Sequence, residues 1–190
     1  MIFSAGSPEI WKTSQEMQTC SPKTSISFAK THKTGSSTLQ NVFLRYGWEH
    51  NLTFVLPEKK SWMFSFKTLF NALDARTYPS WNKKNEFDMF IFHSIWNYKE
   101  VKKLVPEGPV VTILRDPVDL FESGYVYMGL SKVYKMDINQ FAKSQILLKT
   151  TERKASSVFG KNQLLWDLGL NPVLMTRKNA IEAKIKGLLI

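Results

Sequence analysis

Lys30-Thr31-His32-Lys33-Thr34-Gly35-Ser36-Ser37-Thr38 is the stretch whose reading decides the fold. Just before it, residues 25–29 form a short apolar, β-prone run. Just after it, Leu39, Val42, Phe43, Leu44 and Tyr46 recur at helical spacing and stop at Gly47, a common residue past a helix end. The order is therefore strand, loop, helix. At such a junction the first backbone N–H groups of the helix lack partners, and with the helix dipole they attract an anion. Gly35 lets the chain turn tightly and approach a phosphate, Ser36, Ser37 and Thr38 add hydroxyls, and Lys33 adds a full positive charge. The lysine precedes the glycine, which is not the order of a Walker A loop. Taken alone, the segment also reads as a capped helix start with a solvated lysine.

Further along, residues 87–93 are a continuous apolar run of the kind found in buried parallel strands, and residues 98–104 form a short helical pattern ahead of Pro106. Residues 110–114 are a second buried strand, followed at once by Arg115-Asp116-Pro117. Asp116 suits an N-cap and Pro117 the first helical turn, so a helix is expected to run to about Tyr127. Arg115 leaves the strand end, and Ser123 follows two turns later with Glu122 beside it. In parallel α/β sheets ligands lie beyond the carboxyl ends of the strands, where both loops open. Arginine can grip a phosphate with two parallel hydrogen bonds. Its structural alternative is a pairing with Asp116 or Asp119. Two such loops on one edge fit a ligand with two separated anionic groups.

The rest of the chain reads as a loose leader over 1–24, a connection over 48–60, an amphipathic helix over 62–72 and a loop over 78–86. Helices are expected around 138–149 and 161–168, a last strand over 173–176, and a basic amphipathic stretch over 180–189. Strands alternating with helices give an α/β fold with a central parallel sheet. At 190 residues the chain has the size of one domain, and 43% hydrophobic with 22% charged residues is a globular composition. The net charge of +10 calls for an anionic partner without choosing among cofactor, glycan, membrane and nucleic acid. The single cysteine, Cys20, excludes an internal disulfide and a cysteine-based zinc cluster. No run approaches the ~20 apolar residues of a membrane span, and the start lacks the pattern of a signal peptide.

These residues resemble a family. The segment 30–38 is similar to the 5'-phosphosulfate loop of carbohydrate sulfotransferases. Ile-Leu-Arg-Asp-Pro-Val-Asp-Leu-Phe-Glu-Ser, residues 113–123, resembles their 3'-phosphate motif. The group most resembled is the galactose-3-O-sulfotransferases, the galactosylceramide sulfotransferase-like enzymes. Supporting stretches are Phe43-Leu44-Arg45-Tyr46-Gly47, His50-Asn51-Leu52-Thr53-Phe54, Gly160-Lys161-Asn162-Gln163 and Trp166-Asp167-Leu168-Gly169-Leu170.

The resemblance implies a P-loop-like sulfotransferase fold over residues 25–190, incomplete at the C-terminus. It also implies transfer of a sulfuryl group from 3'-phosphoadenosine 5'-phosphosulfate (PAPS) to a galactose hydroxyl, expected to be the 3-OH, of a glycolipid or glycoprotein. Lys33 would stabilise charge on the leaving phosphate and sulfuryl oxygens. Thr34, Gly35, Ser36, Ser37 and Thr38 would hold the 5'-phosphate, and Arg115 with Ser123 the 3'-phosphate. His93, at the end of the strand over 87–93, would be the base for the acceptor hydroxyl, with His32 a competitor. Asn51 would be a glycosylation site. The setting implied is the lumenal side of the Golgi membrane, reached through an anchor that this chain lacks, with no metal and no nucleic-acid partner. Family enzymes are longer, so the chain is expected to be a truncated member. Two alternatives are a donor-binding remnant without turnover and a basic module that binds glycans or nucleic acid. A nucleotide kinase or NTPase is a further rival, marked by magnesium-dependent ATP binding.

Overall fold

In the computed structural model of the chain, the described residues are 22–57, 61–75, 87–144 and 162–170. Strand β1 (Ile26–Ala29) runs into the loop and then into helix α1 (Ser36–Glu49). Strand β2 (Met89–Phe90) and strand β3 (Val110–Thr112) flank β1, giving the order β2-β1-β3 with both pairings parallel. Ile26 lies opposite Met89, and Ser27 opposite both Phe90 and Val110. The remaining helices are α2 (Tyr98–Lys102), α3 (Pro117–Tyr127), α4 (Leu130–Tyr134), α5 (Ile138–Ser144) and α6 (Gln163–Asp167).

The period-2 alternation of side chains divides the core between the two faces of the sheet. On one face Phe28, Phe54, Met89 and Ile91 pack with Leu39, Phe43 and Leu44 of α1. On the other, Val55, Phe64, Phe70 and Phe90 pack with Val101, Leu104 and Val105. A parallel sheet covered on both faces needs this near-continuous apolar sequence. A separate cluster of Leu120, Tyr125, Leu130 and Phe141 ties α3, α4 and α5 together.

Several local expectations hold. Asp116 accepts hydrogen bonds from the Val118 and Asp119 amides, Pro117 opens α3, and the helix ends at Tyr127. Strand–loop–helix at 26–49 is also as expected. Three readings need correction. Residues 62–72 are not a helix: Met63 and Leu69 make parallel bridges to His93 and Ile95, and only Ala72–Ala75 forms a single 3-10 turn. The Phe64 and Phe70 amides donate to the His93 and Ile95 carbonyls at 2.8 and 2.9 Å, so pairing with the strand edge overrides the helical spacing. Gly47 does not end α1 but lies buried within it, where a Cβ would come within 2.3 Å of Phe54 Cζ. Its role is close packing rather than termination. Strand β3 is half-buried rather than buried, since it lies on the described sheet's edge.

The connection over 48–60 also contains pairing, because Phe54 bridges to Met89. The leader reading over 1–24 falls outside the described residues as far as 21. So do the loop over 78–86, the strand over 173–176 and the stretch over 180–189. Among the described residues no helix is long and apolar enough to cross a membrane.

Candidate active site

The site forms where β1 and β3 end. Parallel pairing of these neighbours brings the loop over 30–35 and the loop over 113–116 to the same sheet edge. Two hydrogen bonds join them: Thr31 Oγ1 donates to the Ile113 carbonyl at 2.6 Å, and Arg115 donates to the Lys33 carbonyl at 2.9 Å. The loop is also braced internally. The Thr31 carbonyl accepts from Thr34 Oγ1 at 3.2 Å and from Ser36 Oγ at 2.6 Å.

Backbone conformation at the turn is left-handed at both Lys33 (φ 58) and Gly35 (φ 76). The second is the helix N-cap, and glycine takes that conformation without a Cβ penalty. Space beside Gly35 is open, since a Cβ there would meet nothing within 4 Å. The amides of Ser36 and Ser37 are the first of α1 and have no intrahelical acceptor. An open glycine beside such amides fits a phosphate or another anion.

Lysine supplies the charge in two ways. Lys30 is only 4% exposed, and its ammonium donates to Ser36 Oγ at 3.0 Å and Ser37 Oγ at 3.1 Å. Burial lowers its pKa from 10.5 to about 8, because the charged form has lost much of its water. Lys33 extends the other way, its ammonium 3.8 Å from the centre of the Tyr127 ring at the end of α3. Ser123 lies one turn before Tyr127 and so on the same face of α3. Lys33 and Tyr127 are in contact, and Ser123 stands one helical turn earlier.

Beside the loop, His32 and His93 stack with ring centres 4.4 Å apart. His93 Nδ1 lies 3.2 Å from the Lys30 carbonyl, a contact that requires a proton on Nδ1 and leaves Nε2 as the acceptor. Burial depresses the His93 pKa to about 2; the nearby His32 and Lys30 push the same way, and the bond to the Lys30 carbonyl opposes them. His93 is thus held neutral, with little affinity for a proton in this state. An anion brought alongside would raise its proton affinity. His32 is fixed from the opposite side. Asp167 Oδ2 accepts its backbone N–H at 2.7 Å, and Oδ1 lies 2.8 Å from its Nδ1.

The sequence has relatives. Residues 3–188 match the family model for galactose-3-O-sulfotransferase. The chain belongs to the galactose-3-O-sulfotransferase family. It is similar to galactosylceramide sulfotransferase of Homo sapiens, 39% identical over 111 residues, which are 58% of this chain and 25% of that protein. The Bos taurus galactosylceramide sulfotransferase is 32% identical over 156 residues, 79% of this chain and 36% of the relative. Galactose-3-O-sulfotransferase 2 of Homo sapiens is 29% identical over 171 residues, covering 86% and 42%. The chain thus spans 25% to 42% of the length of these curated relatives. No solved structure matches it significantly.

In this member of the family the sequence reading overlooked three contributors. Lys30 opens the hydroxyl-rich segment in the sequence, and nothing in the residue itself marks it as a caged ammonium. Asp167, buried on α6, holds a loop 135 residues away and also accepts from Gln163 Nε2 at 2.7 Å. Its one sequence signal is an acid inside the apolar run Leu164-Leu165-Trp166-Asp167-Leu168. Tyr127 had no signal at all. Asn51 lies exposed in the turn after α1, in a left-handed conformation (φ 53).

Proposed function

We propose that the chain forms the donor site of a carbohydrate sulfotransferase that moves a sulfuryl group from PAPS to the 3-OH of a galactose on a glycolipid or glycoprotein. The observation that carries this reading is the Arg115–Lys33 hydrogen bond, which fastens a 3'-phosphate-type motif to a 5'-phosphate-type loop. Thr34, Gly35, Ser36, Ser37 and Thr38 hold the 5'-phosphate through amides and hydroxyls, with Lys30 behind them. Arg115 and Ser123 hold the 3'-phosphate.

In the transfer, the bond from the acceptor oxygen to sulfur forms as the bond from sulfur to the 5'-phosphate oxygen breaks. The hydroxyl proton passes to Nε2 of His93. Lys33 leaves the Tyr127 ring and neutralises charge on the departing phosphate oxygen, an electrostatic role that needs no covalent chemistry from the protein. Within this reading Asn51 carries an N-glycan, and the protein works on the lumenal side of the Golgi membrane.

The test is calorimetric titration of the chain with 3',5'-adenosine bisphosphate, with 5'-AMP as competitor. Arg115→Ala is expected to weaken binding by about 10- to 100-fold, the range of one or two charge-assisted hydrogen bonds. It should also erase the preference over 5'-AMP. A chain that is folded by circular dichroism yet binds both nucleotides equally would refute the 3'-phosphate assignment.

A further inference from the structure

We infer that Trp62 is the platform on which the acceptor sugar lies, an inference that rests on the transferase reading above. The indole is 65% exposed, and its ring centre stands 6.3 Å from that of His93, nearly perpendicular to it at 82°. An exposed tryptophan is not informative by itself, since single apolar side chains are common on protein surfaces. Trp48 shows this: it is 82% exposed on the last turn of α1, about 20 Å along the helix from the donor loop. Position and rigidity set Trp62 apart.

The backbone around Trp62 is held in place. Met63 bridges to His93, and the next amide, Phe64, donates to the His93 carbonyl at 2.8 Å. Across Trp62, Ser61 Oγ donates to the Met63 carbonyl at 2.6 Å and accepts from the Met63 amide at 3.3 Å. The same backbone that presents the imidazole therefore presents the indole. Phe66, half-buried, lies 5.0 Å from His32 and 5.8 Å from His93 and closes the apolar floor beside them.

The ligand class follows from ring chemistry. An aromatic face carries negative quadrupole charge and attracts polarised C–H bonds. A galactopyranose, with its 4-OH axial, turns the C–H bonds at positions 3, 4 and 5 to one face. Glucose has an equatorial 4-OH and lacks that continuous patch. A galactose lying on Trp62 projects its equatorial 3-OH from the rim of the stacked patch, with the His93 ring centre 6.3 Å from that of the indole. Trp62 then selects both the sugar and the hydroxyl.

The experiment is saturation-transfer NMR on the chain with methyl β-D-galactopyranoside and methyl β-D-glucopyranoside, each with and without 3',5'-adenosine bisphosphate. Transfer is expected at H3, H4 and H5 of the galactoside and weakly to the glucoside. Trp62→Ala should weaken galactoside binding about tenfold, Trp62→Phe should retain most of it, and Trp48→Ala should change nothing. Affinity for 3',5'-adenosine bisphosphate should be the same in all three variants. Galactoside contacts that survive Trp62→Ala in a folded chain, or that are absent from the unmodified chain, would overturn the platform while leaving the donor site standing. Trp62-dependent galactoside binding without nucleotide binding would instead overturn the donor site and keep the platform.

Discussion

A lysine that gives up its water gains sensitivity to whatever replaces that water. Lys30, with a pKa lowered to about 8, is charged at neutral pH but loses its proton within the alkaline range where ordinary lysines stay charged. A phosphate brought to the loop favours the charged form and raises the pKa again, so binding above pH 8 takes up a proton. The affinity for 3',5'-adenosine bisphosphate is therefore expected to be level below about pH 8. Above it, affinity should fall by up to about tenfold per pH unit. Stability moves the other way: the folded pKa lies below the unfolded value of 10.5, so folding is favoured as pH rises from about 8 to 10.5. Lys30→Met should bind about tenfold or more weakly at pH 7 and lose the alkaline decline, read by calorimetry across pH 7 to 9.5. An unchanged decline in that variant would assign the titration to another group. None of this was legible from the residue itself, because the pKa follows from the burial and the sequence shows only a charged residue beside a strand.

At the scale of elements, α1 has two ends with different duties. Its N-terminus opens on the loop at Gly35, while Gly47 near its C-terminus lets the helix approach the Phe54–Met89 bridge. Alanine is the better helix former by about 1 kcal/mol, so Gly47→Ala would stabilise α1 if propensity decided the outcome. Instead its methyl group would lie 2.3 Å from Phe54 Cζ and 2.9 Å from Met89 Sδ. The expected result is a net loss of about 1–3 kcal/mol, measured as a shift in urea midpoint at unchanged slope. A higher midpoint would mean that Phe54 and Met89 yield freely. The element-level reading of the sequence did well where the signal is local. Asp116 and Pro117 set the start of α3 through a side-chain cap and a fixed backbone angle, both properties of neighbouring residues. It failed over 62–72, where Phe64 and Phe70 take their conformation from the edge they pair with. Helical spacing of apolar residues reports burial, and an extended chain crossing a core can bury the same residues.

In the whole molecule, the hydrogen-bonded link of greatest span among the described residues is the carboxylate of Asp167. It accepts from the His32 amide, from the His32 ring and from Gln163, joining α6 to the loop after β1 far from water. The backbone repeats the link, because the Trp96 amide donates to the Asp167 carbonyl at 2.9 Å. Asp167→Ala would orphan the buried donors and is expected to destabilise the fold by about 3–5 kcal/mol, seen as a lower thermal midpoint. Asp167→Asn, which keeps an acceptor, should lose less. Equal stability of the alanine variant would show that the donors find other partners. The sequence by itself determined the α/β class of the fold and the strand–loop–helix course of both loops. Strand ends, glycine, hydroxyls, a proline and a cap act over a few residues and leave their mark in order along the chain. Only the tertiary structure decided which residues stand behind and beside those loops: Lys30 caged by hydroxyls, His32 held by Asp167, His93 stacked and neutral, Trp62 beside it. The physical reason is that burial, stacking and hydrogen bonding between residues 6 to 135 positions apart depend on distances that close only when the sheet pairs and its two faces are covered.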